Sequence, residues 1–188
     1  KFVNNVGPGD GQDVAGGAIY SVGGSTTTIV GSSFSGNKCS NGGAVGNLGM
    51  AGLTVVNSSF SDNAATGQNA NPGNGGNGGA ICFDGPSQSG GKDIAIDICG
   101  VTFSRNSAGV KAFGGAIFRT CDTTPLAKKT APVTIDRSTF DANESGSAGA
   151  LYMHQVDLTV TSSTFSNNVS RAGAGGAIWA EGSDEGPA

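Results

Sequence analysis

The sequence predicts an all-β fold: a right-handed parallel β-helix of about five to six coils, each with three short strands and loop insertions. Three observations predict it. A small-Gly-Ala-aliphatic motif begins at Gly16, Gly42, Gly78, Gly114, Ala148 and Gly175. An F-x-x-N motif alternates with it, at Phe2/Asn5, Phe34/Asn37, Phe60/Asn63, Phe103/Asn106, Phe140/Asn143 and Phe165/Asn168. Successive copies lie between 25 and 43 residues apart. A solenoid tolerates that variation, because each coil pairs only with its neighbours and any corner can bulge outward, whereas hairpin register would suffer.

Each element of a coil follows from local chemistry. The glycine pair permits a sharp corner that a Cβ would obstruct. The Ala-aliphatic pair behind it starts a first strand. A second strand follows at Thr27-Thr28-Ile29, Leu53-Thr54-Val55, Ile96-Asp97-Ile98, Val133-Thr134-Ile135 and Leu158-Thr159-Val160. Its first and third residues are mostly aliphatic and share the inward face, while the middle Thr or Asp points out. The segment around Phe is the third strand. Stacking coils at ~4.8 Å sets Phe over Phe to fill the tube, and sets Asn over Asn as a buried amide ladder. The sequons at Asn143 and Asn168 fall on that ladder, so both side chains are expected inside.

The 188 residues read as a single β-helical repeat domain, 1–188. Phe2 already belongs to one motif and Trp179 to another coil, so the chain is expected to be part of a longer solenoid. Glycine supplies 34 residues and aromatics only 6%, which suits short strands and tight turns, and regularly placed aliphatics exclude disorder. A formal charge of −4 argues against nucleic acid. No apolar run is long enough to insert this segment into a membrane. The cysteines, Cys39, Cys82, Cys99 and Cys121, lack C-x-x-C spacing, and His154 is the only histidine, so no metal site or cofactor is expected. Cys82 and Cys121 follow equivalent strands in adjacent coils. They form the first candidate disulfide among the three pairings that four cysteines allow.

The alternation of Gly-Gly-Ala-Ile with F-x-x-N resembles the repeats of chlamydial-type polymorphic outer-membrane proteins and related bacterial β-helix proteins, from Phe2 to Trp179. The resemblance implies an extracellular or cell-surface location and the role of an adhesin passenger or stalk. Parallel β-helices also host polysaccharide lyases and hydrolases, so a fragment of such an enzyme, or a polysaccharide-binding module, stands as the alternative.

Catalysis would require paired carboxylates, or a cation-binding carboxylate cluster beside a basic residue, on one sheet. Neither set assembles. Asp84 and Glu181 fall three coils apart, roughly 14 Å by stacking, and Asp97 and Asp136 take inequivalent positions on adjacent strands. The glycine run through Gly75-Gly76-Asn77-Gly78 lacks the helix and the Lys-Ser or Lys-Thr of a phosphate loop. The position after each glycine motif is more informative. It holds Tyr20, Gly46, Cys82, Phe118, Tyr152 and Trp179, and alternation points it outward. Tyr20, Phe118, Tyr152 and Trp179 are thus a candidate aromatic face for a polysaccharide or cell-surface glycan. Two insertions leave neighbouring coils beside it and define a candidate loop edge: Asp84, Lys92, Asp93, Arg119 and Asp122.

Overall fold

A computed structural model describes residues 1–22, 26–48, 52–67, 75–84, 95–120 and 131–182. Lys92, Asp93, Cys121 and Asp122 lie outside these residues.

The short β-branched runs form strands that pair only with their counterparts one coil away. Every pairing among the described strands is parallel, so the chain is a parallel β-helix. Three sheets run its length. The Phe sheet stacks Phe2–Val3, Ser33–Ser35, Ser59–Ser61, Thr102–Ser104, Thr139–Asp141 and Thr164–Ser166. The glycine-motif sheet stacks Ile19–Val22, Val45–Leu48, Ile81–Asp84, Ile117–Thr120, Leu151–His154 and Ile178–Glu181. The Thr sheet stacks Thr27–Val30, Leu53–Val56, Ile96–Cys99, Ala131–Asp136 and Val156–Thr161. Register is kept throughout, so Phe34 pairs with Phe2 and Phe60, and Ile81 with Val45 and Ile117. A narrow fourth file, not expected from the sequence, follows the Asn turn. It runs Val6, Lys38, Ala64, Ser107, Glu144 and Val169, where two extended residues reach across to the next coil.

The tube is filled by columns of like residues. Phe rings stack face to face, with centroids 4.5 to 4.9 Å apart and planes within 10°. Strand spacing alone imposes that separation. Beside them each interior Asn side chain of the ladder bonds through both donor hydrogens and accepts twice at its oxygen. Asn106 shows the pattern: its Nδ2 donates to Asn143 Oδ1 at 2.9 Å and to the Phe60 carbonyl at 3.0 Å. Its Oδ1 accepts from the Asn63 Nδ2 at 2.9 Å and the Asn63 backbone N–H at 3.1 Å. The same bonds link Asn5, Asn37, Asn63, Asn106, Asn143 and Asn168 in one direction. Asn143 is 0% exposed, as its place on the ladder demands, whereas Asn168, in the last coil, is half-buried.

Three corners close each coil, and each is made by one left-handed residue. The third residue of F-x-x-N has φ between 52° and 64° in all six copies, at Asn4, Gly36, Asp62, Arg105, Ala142 and Asn167. A second corner falls at Gly31, Asn57, Gly100, Arg137 and Ser162, and the third at the first residue of each glycine motif. The second glycine of the motif answers a different need: a Cβ on Gly43 would lie 2.5 Å from the Gly79 carbonyl oxygen and 2.6 Å from Ala64 N. A serine ladder braces the second corner. Ser58 and Ser163 Oγ accept backbone N–H groups from Ser32 and Ser138 at 3.0 Å, while Val101 interrupts the series.

Candidate functional site

Each glycine-motif strand turns its first and third residues into the tube and its second and fourth residues outward, as alternation requires. The second residues stack as Tyr20, Gly46, Cys82, Phe118, Tyr152 and Trp179. The fourth residues stack beside them, with Thr120, His154 and Glu181 in the last three coils. The face therefore divides in two. The first coils carry Tyr20/Val22, Gly46/Leu48 and Cys82/Asp84, and the last carry Phe118/Thr120, Tyr152/His154 and Trp179/Glu181.

The candidate aromatics do not behave as one exposed column. Tyr20 is 47% exposed and is separated from the rest by the two coils of Gly46 and Cys82. Phe118 is buried at 6%, and Tyr152 and Trp179 are half-buried. Their covering comes from the residue just before the glycine motif, which the left-handed corner folds over the outward residue of the following coil. Ala15 thereby occupies the space a Cβ on Gly46 would need. At the equivalent position Phe113 lies over the next coil, 4.7 Å from the Tyr152 ring and 6.0 Å, edge-on, from Trp179. Phe118 stacks on Tyr152 at 5.3 Å, and Tyr152 meets Trp179 edge to face at 5.5 Å. Phe113 was missed in the sequence reading. Its signal is that the other coils place Ala15, Asn41, Asn77, Ser147 and Ala174 there.

Polar groups beside the rings are held in place. The Tyr152 hydroxyl donates to Glu181 Oε2 at 3.0 Å, and Thr120 Oγ1 bonds His154 Nδ1 at 3.1 Å. Burial, and then the Glu181 carboxylate, push the Tyr152 phenol well above its ordinary range.

Of the loop-edge candidates, Asp84 is half-buried at its strand end, and Arg119 corrects the expectation. Arg119 is 0% exposed and points into the tube, in register with Phe83 and Met153. It shares the parity of Ile117, which fixes its direction before its charge can. Cys39, Cys82 and Cys99 are free thiols, and burial, with the Asp84 charge second, raises the Cys82 thiol well above its usual range. Pairing of Cys82 with Cys121 involves a residue outside those described. Among the described residues no three His, Cys, Asp or Glu side chains group as metal ligands, and no helix is long and apolar enough to cross a membrane. Asp97 pairs with Thr134 and Asp136 with Cys99, so those two carboxylates occupy different files.

Residues 162–181 match the Chlamydia polymorphic membrane protein repeat. The matched stretch runs from the Phe165/Asn168 turn through the glycine motif at Gly175 to Trp179 and Glu181, and so holds the Phe-sheet and glycine-motif strands of one coil. The same unit recurs in every coil, linked by the Phe and Asn columns. The likeness to that repeat is confined to these 20 residues and states what the chain is similar to there. No curated protein and no solved structure matches the chain.

Proposed function

We propose that this chain is a non-catalytic extracellular segment of a bacterial surface protein, acting as a rigid stalk or adhesin passenger. The observation that carries this reading is the continuous commitment of side chains to coil-to-coil contacts. The Phe stack and Asn ladder run through all six coils. Charged groups outside the tube serve the same end. Arg105 grips Asp62 of the preceding coil with two bonds, at 2.8 and 2.9 Å. Arg171 pairs with Glu144, and Asp141 accepts from Ser166 and Asn167. Carboxylates fixed by neighbours in this way act as struts. Six coils at ~4.8 Å make a stiff rod on which a surface can be displayed. The polysaccharide-binding alternative draws support from one observation, the contiguous Phe118, Tyr152 and Trp179 cluster.

Beads coated with the chain test the proposal. They are expected to attach to cultured host cells while releasing neither reducing ends nor unsaturated products from a polysaccharide panel. Sugar release by the purified chain would sink the non-catalytic assignment, and beads that bind no cell type would leave only the stalk.

A further inference from the structure

Six superposed coils provide an internal comparison, because each structural position is filled six times. At most positions the occupants agree in kind. On the outer face of the last three coils they do not. The second and third coils place Gly46 and Cys82 in the outward file and the first places Tyr20, whereas the last three place Phe118, Tyr152 and Trp179 in succession; where the others place Ala, Asn or Ser before the glycines, one places Phe113. The fourth-residue file runs from Val22 and Leu48 through Asp84 to Thr120, His154 and Glu181. Column packing cannot require these rings, since two coils of the same sheet do without them. A contiguous run of aromatic side chains beside a polar file, on a face that the columns do not constrain, is suited to recognition.

We propose that Tyr152, His154, Trp179 and Glu181 form a subsite for a neutral or amino hexose of a cell-surface glycan. The inference rests on the adhesin reading and names its ligand class. The two outward files stand ~6.6 Å apart along the strand and ~4.8 Å apart between coils, a spacing on the scale of one pyranose ring. The aromatic file offers the half-buried Trp179 and Tyr152 to the apolar face of the sugar. The polar file offers hydrogen-bonding groups to its hydroxyls. Both polar groups are pre-oriented, Glu181 by the Tyr152 hydroxyl and His154 by Thr120, so little rotamer freedom is lost on binding. Phe113 packs over Tyr152 and meets Trp179 edge-on, which fixes the two rings in place. The carboxylate sets the charge preference. Glu181 favours hydroxyl or ammonium donors and repels uronate and sulfate, and the chain's net charge of −4 adds to that repulsion.

Trp179 is the sole tryptophan, so its emission reports on the subsite alone. Titration with neutral and N-acetylated oligosaccharides is expected to give a saturable change in Trp179 fluorescence, with heparin and polygalacturonate giving none. Glu181→Gln is expected to weaken binding about tenfold, the ratio that a lost charge-assisted hydrogen bond of ~1.5–3 kcal/mol produces or exceeds, with the melting curve and unbound emission kept. An absent response to every neutral sugar, an equal response to heparin, or full binding by Glu181→Gln would each overturn the subsite. Cell attachment that survives Glu181→Gln would retain the adhesin role and reject this ligand, so the two failures are distinguishable.

Discussion

At the scale of single residues, the Asn ladder concentrates the largest energetic effect in the smallest group. Replacing Asn106 by Ala removes the acceptor for the Asn63 backbone N–H and Nδ2, and removes the donor to the Phe60 carbonyl. Orphaned buried groups cost about 1–3 kcal/mol each, so Asn106→Ala is expected to lose about 3–5 kcal/mol, read as a lower urea midpoint. A loss under 1 kcal/mol would show that the ladder is ornamental. The opposite sign is expected at Ala148. It holds φ of 58° where five coils use glycine, and it is fully buried. A left-handed non-glycine residue costs roughly 1–2 kcal/mol, partly offset by the chain entropy of glycine. Ala148→Gly should therefore stabilise by about 0.5–1 kcal/mol, measured as a raised melting temperature.

At the scale of the element, alternation governed what could be foreseen. Aliphatic residues two apart on the Thr strands, and Phe and Asn at constant offsets, made the inward columns legible, because a tube has one apolar interior. Arg119 was equally legible by parity, yet charge argued for the surface; parity prevailed because a strand cannot turn one side chain without turning its neighbours. The half-burial of the aromatic file was not legible. It depends on a left-handed corner folding Phe113 over the next coil, a three-dimensional relation that no spacing displays. The Tyr152 strand carries its own prediction. Burial and Glu181 raise the phenol, so the fold favours its neutral form; that contribution is complete below the unfolded value of about 10 and is lost as pH rises above it. The melting temperature should fall above pH 10, and Tyr152→Phe should flatten part of that fall. An unchanged alkaline slope in the variant would remove Tyr152 from the account.

At the scale of the whole molecule, each coil contacts only the coils beside it, so stability is a chain of nearest-neighbour terms. Register, not length, should then decide whether a shortened chain folds. The fifth coil repeats after 25 residues, from Phe140 to Phe165 and from Asn143 to Asn168. Deleting residues 141–165 joins Phe140 to Ser166 and leaves Asn106 facing Asn168, with one coil fewer and every column intact. Deleting 142–165 leaves one residue extra between the Phe ring and the Asn amide. That insertion displaces the ladder and reverses the faces of the segment behind it. The in-register deletion is expected to keep the β circular-dichroism spectrum and a single cooperative melt, and the second to lose the melt. Equal behaviour of the two would mean that the columns do not hold the coils together. Column continuity sets the terms on which coils can be added or removed, and it leaves the outward positions free to vary. A rod built this way can change its length by whole coils and its surface by single residues.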